Sequence, residues 1–369
     1  MYRIPLMKPW VTPALKERVL EVLDSGYLTE GPVTREFERS VAEYVGAKHV
    51  LAATSCTTGL ELALRCLSIG PGDEVIVPDY TYPATAAVVN IVGANVVLAD
   101  VDPLTLLVDY AALEAAVTPR TRAIMPVSLF GNPLDWDHLD AIKERHGLFV
   151  IEDAACALGS SYKGRMTGSL ADVTVFSHHP RKFVTTGEGG TVCTQDAAWA
   201  EWMHSYKHFG LACEAGRLGA SFERVGTNYK MSNLLAAVGL EQMLHVHELL
   251  AERRRLAGRY RKLLADAPGV TLPRITGGGE HSWQTCCVLV ENRDAVMARM
   301  REQGIEVQIG TYALHMHPAF TCSDRCRLEG DLAGSRKAFE QALALPLYHG
   351  MREDEQQEVA ETLAKMVGA

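Results

Sequence analysis

A primary amine that can capture a carbonyl stands near the middle of the chain, and its surroundings are unusual. Lys182 lies in DVTVFSHHPRKFVTTGEGGTV, where an apolar run ends in Ser177, His178, His179, Arg181 and Lys182 before a loop with Gly187, Gly189 and Gly190 returns to a second apolar run. Lysine is the residue that forms Schiff bases, and close-set glycines let backbone approach a ligand. Three other apolar runs also end in polar groups. LFVIEDAACALGS ends in Glu152 and Asp153, and a carboxylate after a strand that is apolar on both faces is costly unless a cation pairs with it. VLAATSCTTGLELAL passes through Ser55, Cys56, Thr57, Thr58 and Gly59 into a helical pattern, which sets hydroxyls and free N–H groups at a helix N-terminus, an anion site. VIVPDYTYPATAA offers the rings of Tyr80 and Tyr82, either of which could lie flat on a planar ligand.

Singly, these features also suit ordinary capping, aromatic packing, a solvated acid and a surface lysine. Together, an anion cradle, a stacking ring, a carboxylate for a protonated pyridine and a Schiff-base lysine are what pyridoxal phosphate (PLP) requires. No P-loop or spaced G-x-G-x-x-G is present, and the His, Cys and acidic residues form no metal-ligand spacing. His178 and His179 are neighbours on a strand end and should point to opposite sides, against joint ligation of a metal.

The elements that must position these groups follow from the hydrophobic pattern. From about Thr12 helical patterns alternate with short apolar strands, which implies an α/β sheet with parallel pairing, and ligands of such sheets gather at the carboxyl ends of the strands. A helical stretch from about Ser232 to Leu264 leads to a C-terminal part with the strand TCCVLVEN and the helices AVMARMREQG and EDEQQEVAETLAKM. We expect a large domain over 1–245, a small α/β domain over 246–369, and residues 1–15 packing on the small domain. The chain of 369 residues is 47% hydrophobic and 22% charged, a globular composition with room for two domains. A net charge of -9 with scattered basic residues disfavours a nucleic-acid surface. Nine cysteines without paired spacing, several in apolar runs, suit a reducing setting. With no apolar leader and no eighteen-residue apolar window, a cytoplasmic location away from membranes is expected.

The runs SGYLTEGPVTREFE, SCTTGLELAL, GPGDEVIVPDYTYPATAAVV, DVDPLTLLVD, VIEDAACALGSSYKGRMTGSLAD, FSHHPRKFVTTGEGG, GTNYKMSNLLAAVGLEQM and YALHMHPAF resemble, in that order, the sugar aminotransferases of the DegT/DnrJ/EryC1/StrS family. The likeness spans almost the whole chain. It implies the type I PLP-enzyme fold of aspartate aminotransferase, with a mostly parallel seven-stranded sheet flanked by helices and a smaller C-terminal α/β domain. It also implies roles. Lys182 corresponds to the cofactor-holding lysine, Asp153 to the partner of the pyridine nitrogen, and Tyr82 to the stacking ring. Cys56 (by its backbone), Thr57 and Ser177 correspond to phosphate ligands. Asn228 corresponds to an asparagine that reaches the phosphate of a neighbouring subunit, hence a homodimer with shared active sites. Thr29, His179, Tyr312, His315 and His317 fall in substrate-facing regions.

Three positions depart from the family pattern. Cys156 stands where Gln or His is common, Ser128 replaces a His, and His178 replaces a Phe. Relatives with His at the lysine position perform dehydration, and Lys182 argues against that branch. The implied reaction moves an amino group from an amino acid, glutamate, to a nucleotide-linked keto-sugar. The stretch H-P-R-K followed by T-T-G-E-G-G resembles the branch that aminates C4 of 4-keto-6-deoxy sugars. A C3-keto sugar, a keto-cyclitol, or a PLP-binding regulatory protein without catalysis are the alternatives.

Overall fold

The computed structural model describes residues 2–212 and 219–368. Its central sheet has eight strands: β1 (His49–Ala53), β2 (Glu74–Pro78), β3 (Asn95–Ala99), β4 (Thr121–Ile124), β5 (Phe149–Asp153), β6 (Val173–Ser177), β7 (Gly190–Thr194) and β8 (Cys326–Leu328). Their spatial order is β1-β7-β6-β5-β4-β2-β3-β8. The six strands from β6 to β8 in that order pair in parallel, whereas β7 runs antiparallel to both β1 and β6. Seven strands were expected. The eighth comes from the C-terminal part and extends the β3 edge, register Cys326 to Val96 through Leu328 to Leu98.

The inner strands are buried on both faces, as in EVIVP of β2 and VTVF of β6, because helices cover both sides; this is why they read as continuous apolar runs instead of alternating ones. One of those helices, Cys56–Cys66, begins at Ser55, whose hydroxyl accepts from the Thr58 N–H while the Thr58 hydroxyl accepts from the Ser55 N–H, a reciprocal capping box. It lies close on β6 and β7. A methyl group on Gly59 would come within 2.7 Å of Val175 and 2.9 Å of Val192.

The C-terminal part has its own antiparallel sheet, ordered Val270–Thr271, Cys286–Val290, Ala342–Leu345, Gln308–Ile309, over a core that includes Val288, Leu343, Tyr260 and Leu363. The N-terminal residues join this side, with Ile4 bridging Ile305 and the Arg3 N–H donating to Gly304 at 2.9 Å. The helical run expected from Ser232 to Leu264 divides into Asn233–Met243 and Val246–Leu263. The break falls at Leu244 and His245, with Leu244 side chain exposed; neither residue is a helix breaker, so the sequence carries no signal for it. Among the described residues, no helix is long and apolar enough to cross a membrane.

Candidate active site

The carboxyl ends of β2, β5 and β6 deliver Asp79, Asp153 and Ser177 to one edge of the sheet, where the N-terminus of helix Cys56–Cys66 also arrives. Gly190, the first residue of β7, makes that approach possible: a Cβ there would sit 2.6 Å from the Cys56 nitrogen and the Ser55 carbonyl carbon. Among the described residues, the N–H groups of Cys56 and Thr57, in the first turn, have no acceptor, and neither does the Thr57 hydroxyl. Such groups with the helix dipole behind them favour an anion.

Asp153 is buried. Its Oδ2 accepts from the Thr85 hydroxyl at 2.7 Å and its Oδ1 from the Ala155 N–H at 3.1 Å, with the Cys56 thiol 3.9 Å away. Burial pushes its pKa up, against the hydrogen bond from Thr85 and the charge of Lys182. A carboxylate so placed gains from a further cationic donor, and a protonated pyridine nitrogen is one. Lys182 is half-buried, and its Nζ lies 3.1 Å from the Cys156 Sγ. The amine, the buried acid and the open helix N-terminus are the donor set that PLP needs, so the chemistry of the site fits that cofactor.

The aromatic candidates assemble on the open side. Tyr82 is 59% exposed and leans on Tyr312, ring centroids 6.3 Å apart; Tyr312 meets His317 edge-on at 5.7 Å. This contact is created by pairing between Tyr80–Thr81 and Tyr312–Ala313. His315 takes no part in the exposed surface. Its Nδ1 lies 2.6 Å from Asp79 Oδ2 and its N–H donates to Asp79 Oδ1 at 2.7 Å, so it pins the C-terminal segment to the end of β2, with Nε2 buried and without a hydrogen-bond partner among the described residues.

Other candidates lie apart from the Lys182 cluster in hydrogen bonding. Ser177 Oγ accepts from the His179 N–H at 3.4 Å, and the half-exposed His179 ring accepts from the Arg181 N–H. Thr29 is exposed, on the loop before helix Pro32–Val45. Asn228 is exposed, its carboxamide oxygen accepting from Lys230 Nζ at 2.6 Å.

The departures have local explanations. His178 is fully buried against Phe37, at 5.2 Å between rings, and bonds Thr191 at 3.0 Å; burial lowers its pKa to about 4, so it packs as the neutral ring a Phe position tolerates. It points away from His179, as strand alternation requires. Ser128 donates to the buried Glu152 at 2.5 Å. Thr85, Asp79 and the pairing of Glu152 with Ser128 and Thr174 are not evident in the sequence. Asp79 was visible in principle as the first polar residue after β2, but its partner lies 236 residues on.

The DegT/DnrJ/EryC1/StrS aminotransferase family model matches residues 11–364. The spore coat polysaccharide biosynthesis protein SpsC of Bacillus subtilis (strain 168) is 36% identical over 99% of this chain and 97% of its own. A GDP-perosamine synthase of Caulobacter vibrioides is 41% identical over 86% of this chain and 87% of its own. Spr1654 from Streptococcus pneumoniae, solved in a PLP form and a PMP form, superposes on this chain with TM-scores of 0.93 and 0.94 at 29% identity; the PLP form covers all of this chain and 99% of the other. With the donor set of the site and a match along nearly its whole length, the chain belongs to the DegT/DnrJ/EryC1/StrS family and is a PLP-dependent sugar aminotransferase.

Proposed function

We propose that the enzyme transfers an amino group from L-glutamate to a nucleotide-linked keto-sugar, a 4-keto-6-deoxy sugar, in active sites shared between two copies of the chain. The observation that carries the catalytic reading is the juxtaposition of the Lys182 amine with the buried Asp153 carboxylate, whose pKa responds to the Lys182 charge. The relative named GDP-perosamine synthase supports a nucleotide-linked acceptor, and the C4 position rests on the H-P-R-K and T-T-G-E-G-G stretch.

Bound PLP supplies an aldehyde carbon that captures the donor amine and a ring that takes up electrons. Lys182 would anchor that carbon and, once displaced, its Nζ would move the proton in each half-reaction. Asp153 would hold the ring nitrogen protonated, fixed on the other side by Thr85. The free N–H groups of Cys56 and Thr57, the Thr57 hydroxyl and Ser177 would hold the phosphate. Asn228 would reach the phosphate of the neighbouring copy. Tyr82 would cover the ring face, and its exposed edge with Tyr312 and His317 would line the sugar's approach, with Thr29 and His179 at the rim. Cys156, 3.1 Å from the amine, would border the cofactor, and His315 would act by holding Tyr312 in place.

The test is spectroscopic. Glutamate added to the PLP-loaded enzyme should discharge the near-visible absorption of the bound cofactor, and a nucleotide-linked 4-keto-6-deoxy sugar should restore it. Restoration only by a C3-keto sugar or a keto-cyclitol would move the acceptor class, and absorption indifferent to every amino donor would remove the catalytic reading.

A further inference from the structure

Helix Ala197–Lys207 ends beside the loop that precedes helix Pro32–Val45, and three ligating side chains meet there. His204, in the last turn, and His208, just past it, stand four positions apart on one face, ring centroids 4.4 Å apart and tilted by 31°. Glu30 approaches from the loop. The ligand atoms of the three all lie within 4.8 Å of one another, the one such cluster among the described residues.

The tautomers follow from the partners. His208 Nδ1 lies 2.7 Å from the His204 carbonyl oxygen; that oxygen can only accept, so Nδ1 carries the proton. His208 Nε2 then turns its lone pair toward Glu30 Oε1 at 3.1 Å, acceptor facing acceptor, and a cation must stand between them. A proton bridges only two of the three groups. A metal ion uses all three. Two His nitrogens and one carboxylate are the protein ligands of open zinc sites, at about 2.0–2.2 Å.

The surrounding groups are those that orient such ligands. The His204 carbonyl fixes His208, and Lys207 Nζ, fully buried, fixes the other Glu30 oxygen at 3.0 Å while bonding the Ala52 carbonyl at 2.8 Å and facing Glu38 at 3.5 Å. Two carboxylates therefore face the ammonium and would share its charge with the ion. His204 also lines a surface groove of about 580 Å³ with Glu38, Arg39, His49 and Glu201.

We propose that Glu30, His204 and His208 bind one divalent ion of the zinc class, leaving a coordination position for water, and that the ion ties the loop carrying Thr29 to helix Ala197–Lys207. The assignment stands independently of the sugar substrate.

Holoenzyme treated with chelator, dialysed, and titrated with Co2+ should develop visible d–d bands that saturate at one equivalent and are displaced by one equivalent of Zn2+. His204→Asn, His208→Asn and Glu30→Gln should each lose the bands, His204→Cys should retain binding with the shifted bands of a thiolate ligand, and Lys207→Met should weaken Zn2+ binding on the order of 10–100-fold, as loss of an orienting partner does. His138→Asn, at another His–acid pair, should change nothing. Circular dichroism reports which variants are folded. No d–d bands in folded wild-type protein, or bands that persist equally in Glu30→Gln and His204→Asn, would overturn the proposal; should the Asn and Gln variants not fold, binding with unshifted bands in His204→Cys would overturn it.

Discussion

Asp153 and Glu152 are adjacent on β5, yet their side chains serve opposite faces of the sheet. Asp153 bonds Thr85 and feels Lys182; Glu152 bonds Ser128 and Thr174 in the core, where burial raises its pKa to about 7. Since that lies above the ordinary 4.5, the fold favours its neutral form: the contribution to stability is complete below about pH 4.5 and is lost as pH rises through about 7. The loss amounts to about 3 kcal/mol. Glu152→Gln should flatten this part of the profile, and urea unfolding at pH 5 and pH 8 will show whether it does. For Lys182→Ala we expect turnover to fall by at least about 10²–10⁴-fold, the usual contribution of a positioned proton-transfer group, with the fold intact by circular dichroism. Lys182 and Asp153, the proposed cofactor ligands, could be picked out in the sequence because polar residues ending long apolar runs stand out. Thr85 and Asp79 could not, because what makes them matter is a partner brought close only by folding, and the same holds for Glu30 beside His204 and His208, although the four-residue spacing of the two histidines was there to be seen.

At the scale of elements, the anion site depends on how near the helix Cys56–Cys66 comes to β7. Gly190→Ala would place a methyl group 2.6 Å from backbone atoms of Ser55 and Cys56, so the helix end must shift. The expected cost is about 1–3 kcal/mol, typical of overpacking, together with faster loss of PLP on dialysis; thermal melts and cofactor absorption measure the two separately. The alternation of strands and helices, and most strand cores, were legible because continuous apolar runs and 3.6-residue periods rarely coincide by chance. β8 was not, since Cys326–Leu328 has three residues, half-exposed to exposed, and gains its identity only from β3. The break at Leu244 was hidden for a different reason: tertiary packing redirects the chain there without glycine or proline.

At the scale of the molecule, the proposed shared active sites make a prediction that no single chain can satisfy. If Asn228 serves the neighbouring copy, mixing inactive Lys182→Ala and Asn228→Ala proteins after subunit exchange should restore activity, because a mixed dimer carries both lesions in one site and none in the other; random pairing gives about one quarter of wild-type activity. Activity that stays at the level of the separate variants would place Asn228 in its own chain's site. Among the described residues, backbone pairing crosses the proposed division into residues 1–245 and 246–369 at four places: Ile4 beside Ile305, Tyr80–Thr81 beside Tyr312–Ala313, Ser161–Tyr162 beside Gly279–Glu280, and β3 beside β8. The last of these bears on synthesis. Until residue 328 leaves the ribosome, roughly 230 residues after β3, the outer edge of β3 has no strand beside it, an interval on the order of ten to forty seconds at ordinary elongation rates. During that time it is an open template for strand addition, and the nascent chain, rather than the finished enzyme, is the form most exposed to aggregation and most in need of a chaperone.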